Sequence, residues 1–221
     1  MVLKNDSSAD IDPVLSGGVE SYTQCSSLVE SAIPLFCPPL LELSNIRLLS
    51  LMPGNFEQEL RCEISVHNLS SIPEYQAVSY TWAEETGNVD KCKTILVSSH
   101  SVRVTRNCEN VLKRIRKSQE LRVIWIDAVC INQSDIDERG PQVQLMPQIY
   151  RGARGVLVYL GEAAGGSDFC FDALASGRVG EDGYPKFRKA LKELVWRPYW
   201  LRVWILQEFA LARTATVICG D

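Results

Sequence analysis

Long apolar runs are missing from this sequence of 221 residues, and none approaches the roughly 20 residues that a membrane-spanning helix needs. The first residues, MVLKNDSSADIDP, also lack the apolar core of a secretory signal peptide. Basic residues are not in excess, because the net charge is −4. The single basic cluster, within residues 113–122, is typical of the solvated side of a helix. We therefore predict a cytoplasmic protein that binds neither membranes nor nucleic acid.

Histidine is scarce as well, since His67 and His100 are the only two in the chain. The eight cysteines contain no CxxC pair, and Cys130 and Cys219 lie inside the apolar runs IDAVCIN and TVICG. Because neither histidine has a further ligand at metal-binding spacing, we predict no metal site. The cysteines are predicted to be small buried apolar side chains rather than disulfide partners.

Four common catalytic motifs are also absent from the sequence: GxGxxG, GxxxxGK[ST], HExxH and GxSxG. Their absence removes the main support for a dinucleotide-dependent dehydrogenase, a P-loop NTPase, a zinc protease or a serine hydrolase. A Cys–His dyad would need Cys130 to meet one of the two histidines, and nothing in the local sequence indicates this.

The chain divides into a weakly patterned beginning and a regular remainder. Residues 1–44 are punctuated by Ser, Pro and Gly, and we predict a variable or partly disordered segment there. Residues 46–52 and 59–69 predict an added N-terminal β-hairpin around Pro53-Gly54. The domain is expected to span residues 45–221, as a fragment of a longer protein with further domains.

Three apolar runs, YQAVSY (75–80), VIWIDAVC (123–130) and GVLVYLG (155–161), read as strands that are buried on both faces. A second hairpin (94–105) and a helix capped by Thr105 or Asn107 separate the first two runs, and a helix at about 141–152 separates the last two. This order predicts an α/β fold with a mostly parallel central sheet flanked by helices.

The last part of the chain is predicted to be largely helical. Residues 162–184 read as a loop, and Pro185 is placed to open a helix that ends near residue 195. A C-terminal helical extension is expected from Pro198 to about residue 212, before a final strand at 214–219.

Polar side chains follow the apolar runs, at the sheet edge where ligands of open α/β sheets collect. Asp127 comes directly after Ile126, which would place a carboxylate at the edge of a dry sheet. Alternatively, Asp127 caps a turn or pairs with Arg139. The polar residues that follow the three runs are Ser79, Tyr80 and Trp82, then Asp127, Asn132, Gln133 and Asp135, and finally Glu162.

A second candidate cluster lies in WRPYWLRVWILQEFALA (196–212). On a continuous helix Trp200, Trp204 and Glu208 share one face, and a carboxylate beside two indoles is costly to bury without a partner. Alternatively, the tryptophans pack in the core and Glu208 pairs with an arginine. Arg197 is one candidate, because it is aligned with Glu208 by whole turns of such a helix.

YQAVSYTW, WIDAVCINQSDIDERGPQVQLMPQIYRGARGVLVYLGE and the segment 196–212 closely resemble the fungal heterokaryon incompatibility (HET) domain, over about residues 46–220. The resemblance implies a role in fungal non-self recognition, in which such domains trigger programmed death of fused cells. HET domains are distantly similar to TIR domains. This second resemblance implies a TIR/flavodoxin-like fold and a homo-oligomer on activation.

The TIR resemblance also implies chemistry. Some TIR domains cleave NAD at the nicotinamide–ribose bond, and the W-x3-W-x3-E pattern of 200–208 is similar to the TIR segment that carries a catalytic glutamate. It implies Glu208 as the first catalytic candidate and Glu138 as the second, with NAD as a substrate rather than a bound cofactor. The predicted substrate-binding residues are Ser79, Tyr80, Trp82, Asp127, Asn132, Gln133, Arg139 and Trp204.

Two departures from the family pattern affect this interpretation. Ala83 stands where the family usually has Gly, and Pro147 is expected to kink the helix after Glu138 and Arg139 or to shift its start. The alternative function is a non-catalytic, self-associating signalling or scaffold module. That alternative predicts Glu208 held in a salt bridge and an apolar patch at the surface.

Overall fold

The computed structural model describes residues 37–84 and 86–220. Most of the predicted variable segment, residues 1–36, lies outside the described residues. The strands are β1 (Asn45–Leu51), β2 (Arg61–Asn68), β3 (Gln76–Tyr80), β4 (Lys93–Val97), β5 (His100–Val104), β6 (Arg122–Trp125), β7 (Gly155–Tyr159) and β8 (Ala215–Ile218). The helices are α1 (Arg106–Ile115), α2 (Asp127–Cys130), α3 (Ile136–Gly152), α4 (Ser167–Ser176), α5 (Tyr184–Val195) and α6 (Ile205–Ala210). These elements confirm the α/β class.

One mixed sheet contains all eight described strands, in the order β5-β4-β2-β1-β6-β3-β7-β8. The strands β6, β3, β7 and β8 run parallel, and so do β2 and β4. The pairs β1–β2, β1–β6 and β4–β5 are antiparallel. The prediction of a mostly parallel sheet is therefore wrong for the sheet as a whole. The strand–helix–strand pattern that motivated it describes only β3, β6 and β7.

The N-terminal hairpin is confirmed, but it is not an addition to the outside of the sheet. β1 lies between β2 and β6, with Leu49 opposite both Ile64 and Ile124. This central position explains why Ile46, Leu48 and Leu49 are all fully buried. Because β1 is covered on both faces, its residues do not show the alternation of buried and exposed side chains that is typical of a hairpin with one face in water.

The caps of α1 and α3 explain where these helices begin. Thr105 accepts a hydrogen bond from the Cys108 amide, which confirms it as the cap of α1. Asp135 accepts from the amides of Asp137 and Glu138, so α3 begins at Ile136. The predicted start near residue 141 is therefore wrong.

Helix α3 also runs through two prolines. Pro141 and Pro147 both lie inside it, so Pro147 does not shift its start, and the kink at Pro147 stays a prediction. The helix buries Met146, Ile149 and Tyr150 around this point. Because packing of an apolar face supplies most helical stability in proteins, tertiary contacts offset the local cost of proline.

Two further predictions in the C-terminal third are wrong. The predicted loop at 162–184 contains the ten-residue helix α4, bounded by Gly166 and Gly177 with left-handed φ values of 78° and 63°. The predicted helix over 198–212 is two pieces, a 3-10 turn (Pro198–Leu201) and α6. Arg202 has extended backbone between them, with φ −81° and ψ 134°. Among the described residues, no helix is both long enough and apolar enough to cross a bilayer.

Candidate functional site

A small cavity lies at the carboxyl ends of β3 and β6 and contains most of the predicted site residues. It has a volume of about 140 Å³. Six predicted residues line it: Trp82, Asp127, Gln133, Arg139, Trp204 and Glu208. Its remaining walls are Ile131, Val143, Met146 and Arg202. The parallel strands and α6 therefore bring together residues that lie up to 126 positions apart in the sequence.

Glu208 is the most enclosed group of this cavity, with 1% of its side chain exposed. The Ser79 hydroxyl donates a hydrogen bond to Oε2, and Arg202 donates to Oε1 at 2.8 Å and to Oε2 at 3.1 Å. The Tyr199 hydroxyl lies 2.6 Å from the Ser79 hydroxyl. Although burial opposes its charge, Arg202 has a raised pKa because of this ion pair with Glu208.

The partner of Glu208 is therefore Arg202 and not the predicted Arg197. Arg197 instead donates to the backbone carbonyls of Leu160, Glu162 and Ala164. The expectation of Arg197 assumed one continuous helix over residues 198–212. The backbone is instead extended at Arg202, between the two helical pieces, and the Arg202 side chain reaches Glu208.

Asp127 is the second carboxylate of the cavity and occupies the first position of α2, directly after β6. Its Oδ2 accepts from the Trp82 indole at 2.9 Å, and its Oδ1 accepts from the Ala128 amide at 2.8 Å. Desolvation raises its pKa to about 6, although Trp82 and the Arg202 charge both act to lower it. The Glu208 charge adds to the rise, so the two carboxylates share one electrostatic environment.

Gln133 and Arg139 form part of the cavity wall beside Asp127. Gln133 donates to the Asp127 carbonyl at 2.7 Å, and Arg139 donates to the Gln133 carbonyl at 3.5 Å. The alternative in which Asp127 caps a turn fits the bond from Ala128, whereas the bond that the structure gives Arg139 goes to Gln133.

Of the remaining predicted residues, Ser79 bonds to Glu208, whereas Tyr80, Asn132 and Glu138 do not line the cavity. Tyr80 is buried, and desolvation raises the pKa of its hydroxyl well above the usual value. Asn132 is also buried, and its backbone N–H donates to Glu138. Glu138 accepts two bonds from Arg47, at 2.6 and 2.8 Å. The structure thus places Glu138 in an ion pair with a fully buried arginine, at a different cavity from Glu208.

Two residues of the site, Arg202 and Tyr199, were not singled out by sequence reasoning. Both contact the Glu208–Ser79 pair only because the helix is interrupted between them and Glu208. The local signal in the sequence is that Arg202 stands between two apolar residues, Leu201 and Val203. In the structure those two apolar side chains are exposed, and the cation between them is mostly buried.

The matching family model is described as Heterokaryon incompatibility protein (HET), and it covers residues 75–208. The chain belongs to this family. The match runs from the residue before β3 to Glu208, so it contains every residue that lines the cavity.

A similar curated protein is Heterokaryon incompatibility protein 6, OR allele, of Neurospora crassa, which is 28% identical over 96% of this chain. The chain spans 37% of the length of that relative. No solved structure matches the HET chain.

Proposed function

We propose that this HET domain is an effector of fungal heterokaryon incompatibility that triggers cell death by hydrolysing NAD at the nicotinamide–ribose bond. Membership of the family supports the role in incompatibility. The observation that supports the enzymatic step is the cavity itself. It combines two carboxylates, Glu208 and Asp127, with two tryptophans, Trp82 and Trp204, at the carboxyl edge of parallel strands.

These residue types suit the proposed reaction. The C1′–N bond breaks, its electron pair passes to the nicotinamide ring nitrogen, and a water oxygen bonds to C1′. Glu208 stabilises the positive charge that develops on the ribose. Asp127 takes the proton of the attacking water, because a pKa of about 6 leaves it mostly ionised at neutral pH but still basic enough to accept. Trp82 or Trp204 offers a flat surface for the nicotinamide ring.

With Arg202 bound to Glu208, the cavity is in the resting state of the proposed enzyme. Arg202 holds both oxygens of Glu208, and the cavity of about 140 Å³ is smaller than usual small-molecule sites, which measure about 300–1,000 Å³. Turnover therefore requires Arg202 to move away from Glu208. Residues 202–204, which lie outside both helical pieces, are the segment that would move.

The test is nicotinamide release from NAD by the purified domain, measured by chromatography at low protein concentration and under crowding. Glu208→Gln should abolish release, and Asp127→Asn should reduce it about a hundredfold or more. Glu181→Gln, an exposed carboxylate of the segment before α5, is the matched control. Circular dichroism verifies that each variant is folded. Equal release by the parent and by a folded Glu208→Gln variant would refute the assignment of Glu208.

A specific observation favours the second candidate, a non-catalytic self-associating module. Leu201, Val203 and Leu206 are 73%, 81% and 73% exposed, and Trp196 is 69% exposed. Adjacent exposed apolar side chains of this kind mark interaction surfaces. Sedimentation of the parent and of Leu206→Glu tests this candidate: assembly by the parent only, with no nicotinamide release by the assembled protein, would favour the module over the enzyme.

A further inference from the structure

The parallel part of the sheet contains a point at which chain connections diverge. In the order β6-β3-β7-β8, the chain leaves β3 towards the side of β6 and passes through β4, β5 and α1 before it forms β6. It leaves β7 towards the opposite side, where it forms β8. The carboxyl ends of two neighbouring strands with diverging connections leave a crevice between them. In open α/β sheets, this crevice is where ligands bind.

A cavity of about 330 Å³ lies at this point, which is separate from the cavity that contains Glu208. Thr81 and Ala83 line it from the end of β3, and Gly161 and Glu162 line it from the end of β7. Its volume is within the range of about 300–1,000 Å³ that small-molecule sites occupy. None of the residues predicted to bind substrate lines this second cavity, although Glu162 was among the polar residues expected at the ligand-binding edge of the sheet.

Tyr199 connects the two cavities. It lines the larger one, and its hydroxyl is 2.6 Å from the Ser79 hydroxyl, which in turn donates to Glu208. The side chains of Tyr199 and Ser79 therefore connect the larger cavity to the carboxylate of the smaller one. A ligand with two ring systems joined by a linker fits two adjacent cavities better than a compact one.

The chemistry of the larger cavity is that of an acceptor site. Arg114 donates to both oxygens of Glu162, and the Tyr159 hydroxyl donates to Oε1. The bond from Arg114 lowers the pKa of Glu162, which keeps this carboxylate ionised and therefore able only to accept hydrogen bonds. Three of its roughly four acceptor positions are used. Its side chain is still 41% exposed, so the last position is open to a ligand hydroxyl.

Positive charge at this cavity is already neutralised. Arg106 lines the rim and pairs with Glu84 at 3.1 Å. The walls formed by Leu160, Pro198 and the Tyr199 ring are apolar. This combination suits a neutral group with a flat ring and adjacent hydroxyl donors, rather than a phosphate.

We propose that this larger cavity binds the adenosine half of the dinucleotide, with Glu162 accepting hydrogen bonds from the ribose hydroxyls. The inference rests on the proposed function for the identity of the whole substrate. A carboxylate that follows a parallel strand and binds a ribose diol is a recurrent solution in α/β nucleotide sites. Glu162 is held in that position by Arg114, by Tyr159 and by Gly161, whose φ of 109° is open to glycine but strained for other residues.

The experiment is calorimetric titration of the folded domain with adenosine and with ADP-ribose, followed by NAD kinetics. Both compounds should bind the parent. Glu162→Gln should weaken binding about tenfold, and should raise KM for NAD with little change in kcat. Ala83→Trp, which places a bulky side chain at the wall of the cavity, should abolish binding of adenosine. Glu120→Gln, an ion-paired carboxylate that lies away from both cavities, is the matched control.

The outcomes separate this inference from the proposed function. Adenosine binding that Glu162→Gln and Ala83→Trp weaken, without any NAD hydrolysis, supports the adenosine site and refutes the hydrolase. NAD hydrolysis with an unchanged KM in both variants supports the hydrolase and overturns the adenosine site. Failure of the parent to bind adenosine and ADP-ribose at millimolar concentration also overturns it. Should Glu162→Gln not fold, Ala83→Trp decides alone.

Discussion

At the scale of single residues, the ion pair between Arg202 and Glu208 decides whether Glu208 is open to a ligand. A carboxylate with 1% exposure and two bonds from a guanidinium is well stabilised, but it is closed to a substrate. The same carboxylate is therefore compatible with an enzyme at rest and with a purely structural role. Kinetics, rather than burial, distinguishes these two interpretations.

Asp127 gives a residue-scale prediction on pH. Its pKa rises from 3.8 in the reference state to about 6 in the fold, so the folded chain binds the extra proton more tightly. The stability that this protonation contributes is fully present below pH 3.8 and is lost as the pH rises to about 6. At about 1.4 kcal/mol per pKa unit, the loss has an upper bound of about 3 kcal/mol, which partial exposure of the side chain reduces.

Asp127→Asn should remove this dependence, because the amide cannot ionise. Its single oxygen can replace only one of the two carboxylate oxygens that accept from Trp82 and Ala128, so the variant also loses an amount of stability that does not change with pH. Urea unfolding of the parent and the variant between pH 4 and 7 measures the difference. We expect the variant to gain stability relative to the parent as the pH rises. A difference that stays constant over this range would contradict the raised pKa.

At the scale of elements, helix α3 shows how a cap sets the residue at which a helix begins. Asp135→Ala removes the acceptor of the Asp137 and Glu138 amides and should cost about 1 kcal/mol of unfolding free energy. Asp137→Ala, in the exposed first turn of the same helix, is the control and should cost only a few tenths. Urea denaturation measures both, and equal losses would show that the cap contributes nothing.

Elements also show where sequence reasoning succeeds and fails. The cap of α1, the two hairpins and the three central strands could be predicted, because alternation, capping and turn residues act between near neighbours. The helix α4 could not, since its Gly- and Ala-rich sequence is typical of a loop and is ordered by packing on α5. The interruption before α6 depends on Arg202, whose partners are set by tertiary structure.

At the scale of the whole molecule, Arg47 and Glu138 join distant parts of the chain. Arg47 of β1 is fully buried and also donates to the carbonyls of Pro38 and Cys130, while Glu138 belongs to α3. Removing one partner leaves an uncompensated buried charge, so Glu138→Gln should destabilise the fold by about 3–5 kcal/mol.

A double-mutant cycle of Arg47→Met and Glu138→Met separates the role of this pair from catalysis. The double variant should be less destabilised than either single variant, because no buried charge then remains unpaired. Additive losses in chemical denaturation would contradict this. If Glu138 is structural, folded Glu138 variants should retain the NAD turnover of the parent.

The sequence by itself determined the apolar strands, the cap of α1 and the family, because each is carried by residues that lie close together in the chain. It also identified six of the residues that line the cavity around Glu208. Only the tertiary structure decided that the sheet is mixed, that Arg202 closes Glu208, and that a second cavity lies between β3 and β7. Strand order, ion pairing and cavities all depend on contacts between segments far apart in the chain, and local periodicity contains no record of those contacts.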